Sequence, residues 1–193
     1  MSRYPFLFLL ALCLSACTHL PEGASPEPLV KRSDLRHFAV DARFALKMQS
    51  TTGEGSTSGG RLQWTHREDA DRILLSNPLG IGLAEIERRA DQAELRTADG
   101  RIYRASAMAP LISELTGQHW PIDLVPNWLL GRPGPDGKLS YDTQARPHTL
   151  EEQAWRIEYF YDNDAPDALP VRLNAYGENT ELRLRIESWN NTP

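Results

Sequence analysis

Apolar and polar residues alternate along most of this chain. From Phe38 to Gln49 the even positions are Phe38, Val40, Ala42, Phe44, Leu46 and Met48. The odd positions are Ala39, Asp41, Arg43, Ala45, Lys47 and Gln49. A period of two predicts a strand with one dry face and one wet face. The same rule predicts strands at RLQWTH, where Leu62 and Trp64 share a face, at DRILLS and at GLAEIERR. QAELRTADG and RIYRAS read as a hairpin with Asp99-Gly100 as a type I′ turn. Near the C-terminus Trp155, Ile157, Tyr159 and Tyr161 share one face, as do Val171, Leu173 and Ala175, then Leu182, Leu184 and Ile186. The Gly/Ser/Thr stretch at 50–60 is predicted to be a flexible loop at a hairpin end.

Two helical pieces interrupt the strands. In SAMAPLISELTG, Met108, Leu111, Ile112 and Leu115 recur at i, i+3, i+4 and i+7, and Gly117 suits the stop. In DLVPNWLLGRPG, Asp123 is placed to cap the start and Gly131 the end, with Leu124, Val125, Trp128 and Leu129 as the apolar stripe. About ten one-sided strands around two short helices predict a mainly β fold, an antiparallel and strongly curved sheet with an apolar concave face. Two helices this short cannot cover so wide a face. Either the sheet closes on itself, or the helices form an incomplete lid over an apolar cavity.

One stretch breaks the pattern. SNPLGIGLAEIE, 76–87, has the Asn-Pro and glycines of a tight turn, yet it carries Leu79, Ile81 and Leu83. Turn tips face water and normally carry polar residues. Pro78 and Gly80 fix a kink that aims Leu79 away from the sheet, so this tip is predicted to stand exposed. The competing reading is a leucine folded back over a strand end.

The N-terminus sets the compartment. Arg3 precedes the apolar run FLFLLALCL, Phe6–Leu14, too short for a permanent membrane span and suited to the core of a secretory signal. LSAC, Leu14–Cys17, resembles a bacterial lipobox, in which the cysteine thiol receives diacylglycerol and the new amine is acylated. An ordinary signal cleaved nearby is the alternative. The division expected is a signal peptide at 1–16, a lipidated Pro-rich tether at 17–34 and one domain at 35–193. Cleavage before Cys17 leaves no second cysteine, so the exported domain depends on its hydrophobic core and not on disulfides. Thr18, in place of the aspartate that tends to retain such lipoproteins at the inner membrane, points to the outer membrane.

The formal net charge is −5, which argues against nucleic acid as a partner. His19, His37, His66, His119 and His148 have no metal-ligand spacing, and neither a G-x-S-x-G nor a phosphate-cradling loop is present. Glu151-Glu152 reads as solvated surface. No catalytic residue, metal or cofactor is expected, and the chain is read as a non-enzyme.

Taken in order, the lipobox, NPLG after the third strand, ELTG closing the first helix, NWLLGRPG in the second and a final strand ending in SW resemble the LolB family. That family comprises the outer-membrane lipoprotein receptors of the Lol sorting pathway. The resemblance implies an unclosed antiparallel barrel of about eleven strands, plugged by helices around an apolar cavity and related to the carrier LolA. It implies a lipid-anchored, monomeric protein on the periplasmic face of the outer membrane. Such a protein takes acylated lipoproteins from a LolA-like carrier and inserts them into membrane lipid without nucleotide. It also implies that Leu79, held between Pro78 and Gly80 of NPLG, acts in release; Ile81 and Leu83 extend the apolar tip, a departure from members with polar residues just after that glycine. Phe44, Leu46, Trp64, Leu115, Trp128, Trp155 and Tyr159 become candidates for the acyl cavity, against a plain reading of these residues as core. The competing class is a structural or adaptor lipoprotein of envelope assembly, with a filled core and no ligand.

Overall fold

The computed structural model describes residues 31–49, 55–116 and 118–191. Cys17, the signal, most of the tether and Gly117 lie outside these residues. Eleven strands form one antiparallel sheet: β1 (Phe38–Gln49), β2 (Gly55–His66), β3 (Ala70–Ser76), β4 (Gly82–Arg89), β5 (Gln92–Thr97), β6 (Ile102–Ala105), β7 (Lys138–Tyr141), β8 (Pro147–Glu152), β9 (Trp155–Phe160), β10 (Arg172–Gly177) and β11 (Thr180–Asn191). Their spatial order is β6-β5-β4-β3-β2-β1-β11-β10-β9-β8-β7. Two meanders are thus joined where β1 pairs with β11, and the sheet does not close: β6 and β7 each keep a free edge. Helix α1 (Met108–Thr116), a 3-10 turn (Ile122–Leu124) and helix α2 (Val125–Leu129) fill the connection between those edges.

Alternation places the core. Phe38, Val40 and Ala42 of β1 are buried, and their cross-strand partners Trp64, Leu62 and Ile186 share that inner face. Met108 and Leu111 of α1 and Trp128 and Leu129 of α2 press onto it from the concave side. The chain is docked by residue 32: the Arg32 N–H donates to the Asp167 carbonyl (3.1 Å). The Arg132 guanidinium in turn donates to the carbonyls of Arg32 (2.9 Å) and Leu35 (2.7 Å).

Four local readings change. Residues Gly55–Gly60 are not loop but the first half of β2, paired with β1 from Gln49↔Gly55 onward. Glycine belongs there for a packing reason: a Cβ on Gly60 would run into the Ser76 carbonyl oxygen of β3. The β5–β6 hairpin forms, but only Gly100 in its turn has positive φ (84°). With Gly100 N–H donating to the Thr97 carbonyl (2.9 Å), it is a type I turn with a glycine bulge, not type I′. Asp123 lies inside the 3-10 turn and caps nothing, whereas Gly131 (φ 61°) does end the second helical piece. Strands β7 and β8 are additional to the sequence reading.

One buried carboxylate fixes the end of the sheet where β1 begins. Asp71 accepts from Trp64 Nε1 (2.8 Å) and pairs with His66 Nδ1 (2.7 Å) and Arg88 (2.7 Å at Nε). Burial pushes its pKa up, but the bonds from His66, Trp64 and Arg88 prevail and hold it below the ordinary value. A depressed folded pKa gives stability that is fully present above the ordinary value of 3.8 and is lost as pH falls through the folded one. Asp71→Asn is expected to cost about 2–3 kcal/mol at neutral pH, because it turns an amide toward the Arg88 guanidinium. Denaturant unfolding across pH should show a shallower acid limb in the variant. An unchanged limb would mean that other carboxylates set acid stability.

Candidate functional site

The Leu79 tip is built by Asn77. Its Oδ1 accepts from the N–H of Leu79 (2.9 Å) and of Ile81 (3.0 Å). The main chain closes the same loop, with Asn77 N–H to the Ile81 carbonyl (2.9 Å) and Gly80 N–H to the Asn77 carbonyl (2.9 Å). Gly80 takes φ +87°, which a glycine adopts without strain. The loop interior is therefore occupied by the Asn77 amide, and the apolar side chains face out. Leu79 is 87% exposed, Ile81 63% and Leu83 44%. The alternative of a leucine folded over a strand end does not hold in this structure. Singly exposed leucines are ordinary on a protein surface, but three large aliphatics on the loop and the start of β4 form a patch.

An apolar cavity of about 30 Å³ lies between α2 and the inner faces of β9, β10 and β11. Trp120, Trp128, Trp155, Ala175, Leu182 and Leu184 are among its walls. Trp155 stacks obliquely against Trp120 (5.3 Å between ring centres) and Trp128 (6.0 Å). The volume holds about two waters and no acyl chain. The groove beneath α2 is filled by tryptophan side chains. The Nε1–H of Trp120 is buried without a hydrogen-bond partner among the described residues.

The predicted cavity residues divide. Trp128 and Trp155 line the cavity. Tyr159 is buried beside it with its hydroxyl donating to the Trp128 carbonyl (2.8 Å), and burial pushes that hydroxyl's pKa up, so it remains a donor. Phe44 and Leu46 are half-buried on β1, paired with the lining residues Leu184 and Leu182 but outside the wall. Trp64 belongs to the Asp71 network at the other end of the sheet. Leu115 lies in α1, and its side chain is outside the described ones.

Glu152 corrects the reading of Glu151-Glu152 as solvated. Glu151 is exposed, but Glu152 is 6% exposed and accepts from Trp128 Nε1 (2.7 Å) and from the Gly134 N–H (3.1 Å). It ties α2 to β8. A Cβ on Gly134 would run into this carboxylate, which accounts for a glycine there. Residue type hid Glu152, and Trp120 was missed because it sits between helices where no periodicity applies.

Strand direction places the two features at one end of the sheet. β3 runs from Ala70, near the start of β1, to Ser76, and the tip follows it; Trp155, Ala175 and Leu182 lie toward that same end of β9, β10 and β11. Residues 31–35 lie at the opposite end.

The sequence model of the family described as outer membrane lipoprotein LolB matches residues 36–189. The chain belongs to the LolB family. The outer-membrane lipoprotein LolB of Dechloromonas aromatica is 43% identical over 99% of this chain and 98% of its own. That of Halorhodospira halophila is 32% identical over 94% and 91%. Among solved structures, a LolA superfamily protein from Nitrosomonas europaea superposes with a TM-score of 0.52 at 11% identity, over 83% of this chain and 88% of its own. That likeness is one of fold. As a LolB family member the chain is an outer-membrane protein of lipoprotein sorting, and its unclosed antiparallel sheet plugged by helices is the architecture expected of it.

Proposed function

We propose that this chain, anchored through acyl groups on Cys17 at the periplasmic face of the outer membrane, accepts lipoprotein acyl chains from a LolA-like carrier. It then passes them to membrane lipid without nucleotide. The observation that carries the reading is the pairing, at one end of the sheet, of an apolar cavity beneath a short helix with an exposed apolar tip. The first is a place for acyl chains once α2 lifts, and the second is a contact for the bilayer that receives them. Burying an acyl methylene is worth about 0.8 kcal/mol, so a sixteen-carbon chain gains roughly 12 kcal/mol in a dry site. A tenfold preference between donor and acceptor needs only about 1.4 kcal/mol. Small differences in how fully each partner buries the chains therefore drive the handoff, and the bilayer is the deepest sink. The chain between Cys17 and residue 31 spans at most about 50 Å, enough for a domain docked at its far end to turn its tip to the same membrane.

The test uses a hydrophobic fluorophore bound to the protein and displaced by acylated peptide. Displacement by acylated but not by unacylated peptide is the expected result. An adaptor with a filled core would bind neither, and that outcome would overturn the reading. Cys17→Ala with a conventional cleavage site should yield a soluble protein that still takes cargo. Retention of that variant in the membrane fraction through a high-salt wash would exclude Cys17 as the anchor.

A further inference from the structure

The outer face of the sheet carries a row of four arginines on neighbouring strands. Register places Arg61 of β2 opposite Arg43 of β1, Arg43 opposite Arg185 of β11, and Arg185 opposite Arg172 of β10. Directly opposed residues point to the same face, so these guanidiniums lie side by side across neighbouring strands. Like charges in that arrangement destabilise a sheet. Arg43 is relieved by Glu187 (2.5 Å), and Arg172 lies over the Phe160 ring (3.8 Å). Arg61 and Arg185 are exposed and have no acidic partner among the described residues. On the outer faces of these strands, Arg43, Lys47, Arg61, Arg172, Arg183 and Arg185 stand against Asp41, Glu181 and Glu187. In a chain of net charge −5 the cationic surplus is local.

The row leads to the tip. Arg61 pairs with Ser76, the residue before Asn77. Gly80 shares one shallow depression with Asp41, Arg61, Gln63 and Glu187, and another with Leu74, Glu85 and Arg96. Gln63, Arg61 and Glu85 all point outward, so the loop leans over the outer face and not over the concave one. Two of the acids beside it are already paired with arginines, Glu187 with Arg43 and Glu85 with Arg72 (2.7 Å); Asp41 is held by the neutral Gln63 and Ser188 (both 2.8 Å) and keeps its charge. Any surface that the apolar tip enters is therefore met at the tip's base by Arg61, with Arg185, also without an acidic partner among the described residues, two strands further along the row and Asp41 as the one acid there without a cationic partner.

We propose that the row Arg61–Arg43–Arg185–Arg172 is a headgroup-binding shelf that holds the tip against anionic phospholipid. An apolar wedge flanked by basic residues matches a membrane interface, where acyl chains lie beneath phosphates. Arginine suits phosphate because its planar fork donates two parallel hydrogen bonds. The inference rests on the reading that the Leu79 tip enters a bilayer, and it adds which lipids the protein prefers.

The experiment measures sedimentation of the full mature chain carrying Cys17→Ala, so that no acyl anchor holds it, with vesicles of phosphatidylcholine alone or with a third phosphatidylglycerol. Phosphatidylglycerol should raise partitioning at low salt, and the gain should shrink at 0.5 M salt as charges are screened. Arg61→Gln/Arg185→Gln should lower binding to the anionic vesicles about 25-fold, at roughly fivefold per arginine. Binding to neutral vesicles should not change. Arg89→Gln, at the opposite end of the sheet, is the control and should have no effect. The double variant removes repulsion, so its melting temperature should stay level or rise, which separates lost binding from lost fold. No response of the parent to phosphatidylglycerol, or a full response in the double variant, overturns the shelf while leaving the tip reading intact. Failure to bind either vesicle overturns the tip reading itself. If the double variant binds vesicles normally but takes cargo poorly from its carrier, the row faces protein and the proposal is wrong.

Discussion

Leu79→Glu is expected to leave the fold and the acceptance of cargo intact and to cut delivery into membrane at least tenfold. The side chain is 87% exposed, so neither the parent nor the variant packs it against the sheet. The loop is held by Asn77 Oδ1 and by main-chain bonds, none of which involve the leucine side chain. A stability change beyond about 0.5 kcal/mol is not expected at such a site. Transfer of a leucine into lipid is worth about 1.5–3 kcal/mol, a factor of roughly ten to a hundred, and a carboxylate at that depth adds its own penalty. Ile81 and Leu83 stay exposed in the variant, so Leu79→Ala should lose less, and Leu79→Ala/Ile81→Ala should approach the glutamate. Scoring carrier-to-receptor and receptor-to-liposome transfer separately decides the point. Equal loss in both steps would show that the tip serves cargo uptake, and normal delivery by the glutamate variant would remove it from the mechanism.

The parts of this fold legible in the sequence are those where one side chain in two is buried. Strand β1 carries clean alternation, and its bounds follow from it; in β3 and β4 the period is still legible despite the inward Asp71 and the outward Leu74 and Leu83. β7 and β8 do not: β7 is only four residues long, Pro147 opens β8, and the polar Ser140, His148 and Thr149 blur any period. Gly55–Gly60 has no side-chain pattern at all, and its pairing is fixed by backbone bonds and by the close approach of Ser76, which periodicity cannot register. For the site, the exposed tip could be read because Pro78 and Gly80 contradict the apolar residues between and after them. Asn77, which fills the loop interior, has the residue type of any turn and so gave no separate signal. The cavity was read by residue type, and type does not separate a tryptophan that lines it from one that is satisfied elsewhere. Trp128 and Trp64 both occupy inward positions; their indole N–H groups reach Glu152 and Asp71 at different ends of the sheet.

The closed cavity leads to the second large effect, at Ala175. This residue is half-buried on the inner face of β10, between Ile157 and Leu182, and forms part of the wall under α2. About 30 Å³ is too little for an acyl chain, so on the proposed reading uptake lifts α2 from Ala175, Leu182 and Leu184 and releases the Glu152 and Tyr159 bonds to Trp128. Ala175→Phe puts a ring on that floor. Overpacking should cost about 1–3 kcal/mol in stability, within what a domain of this size tolerates. In the opened form the same ring occupies the path of the acyl chain. Excluding three methylenes forfeits about 2.4 kcal/mol, roughly fifty-fold in affinity. Loss of cargo should therefore appear at uptake from the carrier, with delivery of whatever is bound proceeding normally, the reverse of the Leu79→Glu pattern. Ala175→Leu provides a smaller step in the same direction and guards against a phenylalanine variant that simply unfolds. Circular dichroism and unfolding curves establish the fold of both, and fluorophore displacement by acylated peptide gives the affinity. If both variants fold and retain full affinity, acyl chains bind elsewhere, and the tryptophan-lined groove beneath α2 is ordinary core.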